Sequence, residues 1–226
     1  MTVTVADKRA ASRKLHEQGC FVIPNPWDVS SGRMLQSLGF KALATTSSGF
    51  AWSQGRADGQ ASRDMVLEHL RVMAAATDLP LNADFESGYA TTPDGVAESV
   101  RMAVATGVSG LSIEDSTGDP QNPLRDIDTS VARLRAARAA IDKAGGDTLL
   151  VGRAENFIVG RPDLDDTLAR LRAYSPAPIA STLRASAPGS RLPRSWQRSR
   201  RSPSTWSSDR RANSRCMTSR PWACGA

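Results

Sequence analysis

Short apolar runs and amphipathic segments alternate five times along the first 174 residues. Each apolar run has the length of a buried strand, and each following segment repeats its apolar residues with the spacing of a helix. The predicted strands cover residues 20–24, 41–46, 81–86, 110–115 and 149–155. The predicted helices cover residues 6–18, 28–38, 64–76, 92–107, 128–144 and 162–174. Strict alternation of this kind predicts a parallel sheet covered by helices.

Polar residues stand at the carboxyl ends of four successive predicted strands. They are Thr46 and Ser47, Asp84 and Glu86, Glu114 and Asp115, and Arg153 and Glu155. The alternation permits a doubly wound sheet or a barrel, but no glycine-rich dinucleotide fingerprint follows the first strand. Active residues of a barrel lie at the carboxyl ends of several strands. We therefore predict an α/β fold of the (β/α)8 TIM-barrel type, incomplete, with about five βα units in residues 1–174.

Asp84 and Glu86 are the most informative pair in the chain. They are two residues apart near the end of a predicted strand, so their side chains are expected on the same face. Burying two like charges is costly unless a partner compensates them, and a hard divalent cation with oxygen ligands is such a partner. Alternatively, the strand end is exposed and both acids are solvated. Glu114 could likewise be a satisfied acid that pairs with Arg153.

Composition restricts the class of protein. The longest apolar runs among the 226 residues fall far short of the ~20 that a membrane span requires, and the first 14 lack the apolar core of a signal peptide. Cys20, Cys216 and Cys224 are too few and too scattered for a disulfide framework or a zinc site. We therefore expect a cytoplasmic protein without membrane contact.

The basic charge is confined to the tail. Residues 175–226 contain ten Arg, one Asp and neither Lys nor Glu, and so contribute +9 to a net charge of +6. This leaves −3 for the first 174 residues. The tail could be a disordered basic segment or an arm that binds nucleic acid, although the acidic main body makes nucleic acid an unlikely partner for the whole chain.

Six short segments resemble one enzyme superfamily. They lie at residues 21–28, 45–49, 55–59, 83–89, 112–115 and 151–155. In this order they are similar to motifs of the isocitrate lyase / phosphoenolpyruvate mutase superfamily, and the resemblance covers residues from about 15 to 174. It implies a (β/α)8 barrel that binds Mg²⁺, or Mn²⁺, and a small carboxylate or phosphonate substrate.

The resemblance also implies a metal site. Asp84 would be the direct ligand of the cation. Glu86, which stands where the family usually has Asp, would act with Glu114 through metal-bound waters, and Asp58 would support the same water shell.

Substrate contacts follow from the same resemblance. Thr46, Ser47 and Ser48 would bind the substrate carboxylate, and Arg153 would clamp a carboxylate or phosphonate with its planar fork. Arg153 and Glu155 would be catalytic residues. The reaction implied is cleavage of a C–C bond in a 2-oxo or 2-hydroxy carboxylate through an enolate that Mg²⁺ stabilises. Phosphoenolpyruvate or carboxyphosphonoenolpyruvate mutase chemistry is the alternative.

The loop after the fourth strand departs from the family pattern. Lyases of the superfamily carry a Lys-Arg-Cys-Gly-His type of segment there, whereas residues 116–123 contain no Cys, His or Lys. Isocitrate or methylisocitrate cleavage by that route is therefore not expected. Asn122 could act as the loop Asn of phosphonate-handling members, or could be a turn residue between Pro120 and Pro123.

The tail also suggests a frameshift. Permitted codons for residues 176–186, 203–208 and 212–225, when read at one common offset, give GADCLYAPGI, VNVVV and ELAVYDLAALGVR, which are typical of the missing barrel elements. We therefore expect residues 175–226 to be irregular and derived from a shifted frame. A chain so truncated is expected to be unstable, weakly active and unable to oligomerise as its relatives do.

Overall fold

The computed structural model describes residues 3–175 and the strand at 180–183. Its five strands are β1 (Leu43–Ala44), β2 (Leu81–Asp84), β3 (Gly110–Glu114), β4 (Leu149–Ala154) and β5 (Ala180–Leu183). All neighbouring pairs are parallel, and the strands stand in the sheet in the same order as in the chain. Successive strands are therefore joined by crossover connections, as the alternating pattern predicts.

Among the described residues, seven helices connect and cover the strands. They are α1 (Val5–Glu17), α2 (Val29–Ser37), α3 (Ser47–Ser53), α4 (Arg63–Ala76), α5 (Pro93–Ala105), α6 (Ile127–Lys143) and α7 (Leu164–Tyr174). Side-chain caps explain where two of these helices begin. The Asp28 carboxylate accepts the Ser31 amide at the start of α2, and the Thr92 hydroxyl accepts the Gly95 amide at the start of α5. No described helix is long and apolar enough to cross a membrane.

Two local predictions were wrong. Residues 20–24 are not a strand, although the Ala44 amide of β1 still donates to the Pro24 carbonyl at 3.0 Å. Pro24 and Pro26 have no amide hydrogen and cannot sustain a ladder there. The strand predicted over residues 41–46 is reduced to Leu43–Ala44, because the Thr46 hydroxyl accepts the Gly49 amide and caps α3.

Leucines on the first four strands form the centre of the core. Leu43 lies opposite Leu81, and Leu111 lies opposite Leu150, in the parallel register. All four are at most 1% exposed. Apolar residues of α4, α5 and α6 pack onto them. The buried side of the sheet is thus fixed by ordinary apolar packing, which leaves the polar strand ends free for chemistry.

The strand β5 lies inside the segment that the sequence pattern assigned to an irregular tail. It pairs with β4 from Val151 to Ala154. The remaining tail, with its arginines, its tryptophans and the second and third frame-shifted peptides, lies outside the described residues. The boundary at residue 174, the frameshift and nucleic-acid binding through the tail therefore stay predictions.

Candidate active site

Arg153, at the end of β4, is the centre of a buried polar cluster. Its Nε donates to Glu155 Oε1 at 2.9 Å, and its Nη2 lies 2.7 Å from Glu114 Oε2. Its Nη1 donates to Asp84 Oδ1. The parallel register places Glu114 directly opposite Arg153, and the arginine is 7% exposed. The ends of β2, β3 and β4 thus meet at one guanidinium, and the alternative in which Glu114 pairs with Arg153 describes part of the cluster.

Asp84 also joins β2 to the start of α3. Its Oδ2 accepts the Ser47 amide at 2.9 Å and the Ser47 hydroxyl at 2.8 Å. Its own amide donates to Thr45 Oγ1 at 2.9 Å. Asp84 is therefore held between a cation on one oxygen and neutral donors on the other.

The other two predicted substrate-binding residues follow in the same turn. The Thr46 hydroxyl caps α3, and it lies 3.2 Å from the Ser48 hydroxyl. Ser47 thus contacts Asp84, while the hydroxyl groups of its two neighbours in the chain, Thr46 and Ser48, lie within hydrogen-bond distance of each other.

Glu86 reaches the same region by another route than predicted. Strand β2 ends at Asp84, so the two acids do not share a strand face; instead Glu86 has a left-handed backbone with φ of 44°. Its Oε1 accepts the Tyr89 hydroxyl at 2.7 Å, and its carbonyl accepts the Glu114 amide at 2.9 Å. Asp58 lies in an exposed loop, and its charge contributes to raising the pKa of Glu86.

We call Asp84, Glu86, Glu114, Arg153 and Glu155 the Arg153 cluster; it holds four carboxyl groups and one guanidinium. Burial raises the pKa of Glu114 to about 8, even though Arg153 opposes the shift, and the neighbouring acids raise it further. Burial also raises the pKa of Glu86, against the Tyr89 hydrogen bond. One arginine therefore does not compensate the negative charge of this cluster, and a further cation would do so.

The donor set fits a hard cation. Carboxylate and hydroxyl oxygens are the ligands of Mg²⁺, which usually takes only one or two protein carboxylates and keeps several waters. The described residues include no group of three or more His, Cys, Asp or Glu side chains arranged to hold a metal ion. The uncompensated charge and the oxygen donors are the features that suit Mg²⁺.

Asn122 lies in a different cavity, of about 550 Å³. Its lining consists of Asn122, Pro123, Leu124, Asn156, Gly160, Arg161, Pro162, Asp163 and Asp166. None of the five members of the Arg153 cluster lines it. The Asn122 carbonyl accepts the Thr117 hydroxyl at 2.5 Å, as in a turn. The structure therefore does not bring Asn122 to the other predicted site residues.

A second buried cluster adjoins the first and was not predicted. We call Asp115, Asp166, Arg170 and Tyr174 the Arg170 cluster. Asp115 Oδ2 accepts the Tyr174 hydroxyl at 2.7 Å and Arg170 Nη1 at 3.2 Å, while Asp115 Oδ1 accepts the Glu155 amide at 2.9 Å. Arg170 Nε donates to Asp166 Oδ2 at 2.7 Å. Strand alternation offered one signal, since Asp115 follows Glu114 and must point away from it toward α7.

Comparisons with known proteins identify the family. Residues 12–178 match the family described as phosphoenolpyruvate phosphomutase. The chain is 30% identical over 162 residues to an uncharacterised protein of Mycobacterium tuberculosis H37Rv, covering 71% of this chain and 59% of the relative. It is 29% identical over 147 residues to 2-methylisocitrate lyase of Escherichia coli K12 (62% and 49% covered). With oxaloacetate decarboxylase of Bradyrhizobium it shares 30% over 112 residues (47% and 37%). The chain thus spans about half the length of the curated relatives it matches.

Solved structures agree with this assignment. A candidate lyase/mutase from Burkholderia cenocepacia J2315 is 44% identical with a TM-score of 0.76, covering 79% of this chain and 65% of that one. A 2,3-dimethylmalate lyase is 30% identical with a TM-score of 0.70 (80% and 61%). A phosphonopyruvate hydrolase in complex with oxalate and Mg²⁺ shares the fold at 24% identity and a TM-score of 0.72 (80% and 63%). The barrel-type α/β fold is thereby confirmed, and the chain belongs to the phosphoenolpyruvate phosphomutase family of the isocitrate lyase superfamily, whose members are lyases and mutases.

Proposed function

We propose that this chain is a Mg²⁺-dependent lyase that cleaves a carbon–carbon bond in a small 2-oxo or 2-hydroxy carboxylate. The observation that carries the proposal is the Arg153 cluster, in which three carboxyl groups pair with a single guanidinium, Glu86 adds a fourth carboxyl group, and the Ser47 hydroxyl contacts Asp84. Excess negative charge at the carboxyl ends of barrel strands suits a bound cation and a chelating acid. The lyases among the relatives support the same reaction class.

In this proposal Asp84 would hold the cation directly, and Glu86 and Glu114 would hold it through water. When bound, Mg²⁺ would supply Lewis-acid stabilisation of negative charge on the substrate oxygens. Ionisation of Glu86 and Glu114 is the chain's own contribution, because both have raised pKa values and must lose their protons to act as ligands.

Substrate binding would fall to the hydroxyl groups and to Arg153. Thr46, Ser47 and Ser48 would donate to the substrate carboxylate, since Ser47 contacts Asp84 and the Thr46 and Ser48 hydroxyl groups lie 3.2 Å apart in the same turn. Arg153 would exchange one of its present carboxylate contacts for the substrate and orient it by a bidentate contact. Glu155 would keep Arg153 in place, because its carboxylate accepts Nε at 2.9 Å and is 2% exposed as a residue.

The loop between β3 and α6 narrows the reaction class. It contains no Cys, His or Lys that could protonate a carbanionic leaving fragment. Decarboxylation of a 2-oxo acid with a second carboxylate needs no such acid. The bond to the departing carboxylate breaks, CO₂ leaves, the electron pair remains as an enolate, and water protonates that enolate to the product. We therefore favour an oxaloacetate-type decarboxylation.

The purified full chain should be assayed against oxaloacetate, 2-methylisocitrate and 2,3-dimethylmalate, each with Mg²⁺ or with a chelator. We expect Mg²⁺-dependent release of pyruvate and CO₂ from oxaloacetate above the rate that free Mg²⁺ produces in buffer. The matched control is Asp84→Asn, which keeps the side-chain shape and removes the charge. Equal rates for the chain and for this variant would contradict the proposal.

A mutase is the second candidate, and the family match over residues 12–178 favours it. The fork of Arg153 suits a phosphonate as well as a carboxylate. Phosphorus NMR separates the two candidates, because a mutase converts the phosphate ester of phosphoenolpyruvate into a phosphonate without releasing pyruvate. Formation of a phosphonate signal would favour the mutase over the decarboxylase.

A further inference from the structure

Arg133 on α6 is a buried cation whose hydrogen bonds go only to backbone carbonyls. It is 1% exposed, and its Nη2 donates to the Ser87 carbonyl at 2.6 Å and to the Ala90 carbonyl at 2.7 Å. Its Nη1 donates to the Thr91 carbonyl at 2.8 Å. None of the ion pairs among the described residues includes Arg133. Burial lowers its pKa to about 10, so it stays charged at neutral pH.

The segment that Arg133 binds has an unusual backbone. Glu86, Gly88 and Tyr89 have φ values of 44°, 85° and 53°, which is the left-handed region. Residues with a Cβ rarely adopt this conformation, and they keep it only where the surroundings enforce it. The carbonyl groups of residues 87, 90 and 91 all accept hydrogen bonds from the guanidinium of Arg133, which lies on α6. Arg133 therefore holds three carbonyl groups of this turn in place.

The turn carries two groups of the candidate active site. Tyr89 donates its hydroxyl to Glu86 Oε1 at 2.7 Å, and the Glu86 carbonyl accepts the Glu114 amide at 2.9 Å. If residues 87–91 relaxed to right-handed or extended backbone, the Glu86 carboxylate would lose both its direction and its partner. An apolar side chain at position 133 could fill the space, but it could not hold three carbonyl groups.

We propose that Arg133 is a positioning residue, which acts through the turn at 87–91 to hold Glu86 at the cation site. This inference rests on the proposed function for the role of Glu86. The planar fork of Arg explains the choice of residue, because Lys offers a single nitrogen that cannot reach three separate carbonyl groups in the same geometry.

The test compares Arg133→Lys and Arg133→Ala with a matched control on the same helix. Arg138 is that control, since it also donates to two backbone carbonyls, those of Gly146 and Thr148, both at 3.3 Å. These precede β4 and lie at the opposite end of the strand from Arg153. Three readouts apply to the full chain: amide hydrogen exchange of residues 86–91, the affinity for Mg²⁺ by calorimetry, and KM for the acid at saturating Mg²⁺.

In Arg133→Lys we expect exchange of residues 86–91 to accelerate about tenfold or more. The affinity for Mg²⁺ should fall about 10–100-fold, while KM at saturating Mg²⁺ changes less than about threefold. Millimolar guanidinium should restore slow exchange and Mg²⁺ affinity in Arg133→Ala, because it refills the vacated site. It should have no effect on Arg138→Ala, whose exchange at 86–91 should equal that of the parent chain.

Unchanged exchange in Arg133→Lys overturns the proposal, as does accelerated exchange with unchanged Mg²⁺ affinity. If Arg133→Ala does not fold, Arg133→Lys alone decides between these outcomes. If the parent chain neither binds Mg²⁺ nor turns over any acid, the proposed function fails by itself. In that case the inference stands or falls on the exchange of residues 86–91 and on its rescue by guanidinium.

Discussion

Two buried polar clusters lie side by side at the ends of β3 and β4, and they differ in charge balance. Every described carboxylate contact of the Arg170 cluster ends on a donor, and the pKa of Asp166 is lowered, against the effect of burial, by hydrogen bonds from Arg170 and Asn156. In the Arg153 cluster three acids pair with one arginine, Glu86 adds a fourth acid, and burial raises the pKa of Glu114 to about 8. A fold gains nothing from uncompensated buried charge. The uncompensated charge of the Arg153 cluster therefore indicates a ligand-binding site, whereas the balanced charge of the Arg170 cluster stabilises the packing of α7 on the sheet.

The largest effect should come from Asp84→Asn in the Arg153 cluster. The amide cannot replace the charge that would bind the cation, so kcat/KM with Mg²⁺ should fall about 10²–10³-fold. Steady-state rates across a Mg²⁺ series measure the change, and circular dichroism provides the folding control. A reduction of kcat/KM by less than about threefold would show that Asp84 does not bind the cation. It would also weaken the distinction between a functional Arg153 cluster and a structural Arg170 cluster.

Asp115→Asn tests the balanced cluster. It leaves Arg170 buried with less compensating charge and weakens the contacts to Tyr174 and the Glu155 amide. We expect a loss of about 3 kcal/mol in the free energy of unfolding, measured by urea denaturation. Mg²⁺ affinity of the folded fraction should be nearly unchanged. A stable Asp115→Asn with weakened Mg²⁺ binding would exchange the roles that we assign to the two clusters.

The sequence predicted the first cluster much better than the second. Asp84, Glu114 and Arg153 stand at the carboxyl ends of neighbouring parallel strands, and that topology alone brings them together. The route of Glu86 was not predictable, because β2 ends two residues earlier and the backbone turns left-handed. Tyr174 contacts a residue 59 positions away, which no local pattern encodes.

In the fold, too, the features that depend on local sequence were predicted, and those that depend on other factors were not. Strand and helix alternation follows from local apolar periodicity, and it was predicted closely for β2, β3 and β4. Residues 20–24 are as apolar as the other runs, but Pro24 and the following Pro26 remove ladder donors. The role of Arg133 depends on carbonyl groups more than 40 positions away, so its sequence context reads as an ordinary helix.

The contribution of Glu114 to stability should fall as pH rises when no Mg²⁺ is present, whereas burial lowers the pKa of His69 to about 4, so its contribution rises up to about pH 6.5. Burial raises the pKa of Glu114 to about 8 in the folded chain against 4.5 for an unperturbed Glu, so between these values the folded state holds a proton that the unfolded state has released. The contribution is complete below about pH 4.5 and is lost as pH rises toward 8, by about 1–3 kcal/mol. The difference in urea midpoints between the parent chain and Glu114→Gln from pH 5 to 8 measures it, because His69 contributes equally to both. Saturating Mg²⁺ should flatten the slope, because the cation favours the ionised carboxylates.

Glu114→Gln should change the free energy of unfolding in the opposite direction to Asp115→Asn. Removing one excess acid should leave the free energy of unfolding unchanged at pH 5 and raise it by about 1 kcal/mol at pH 8 without Mg²⁺. The same variant should bind Mg²⁺ more weakly. Destabilisation at pH 8 as large as that of Asp115→Asn would show that the Glu114–Arg153 pair is a structural contact, and that the charge imbalance has no functional meaning.

The smallest effect is expected for Tyr89→Phe, which tests the contribution of a single hydrogen bond to the Arg153 cluster. The variant keeps the ring that contacts Phe85, with centroids 5.1 Å apart, but loses the donor to Glu86 Oε1. Because that bond lowers the pKa of Glu86, its loss should raise this pKa further and move half-saturation by Mg²⁺ to higher pH, by less than about one unit. The stability cost should be about 1 kcal/mol. Calorimetric titrations at several pH values measure the shift, and a move toward lower pH would mean that Tyr89 suppresses the charge of Glu86 rather than supporting it.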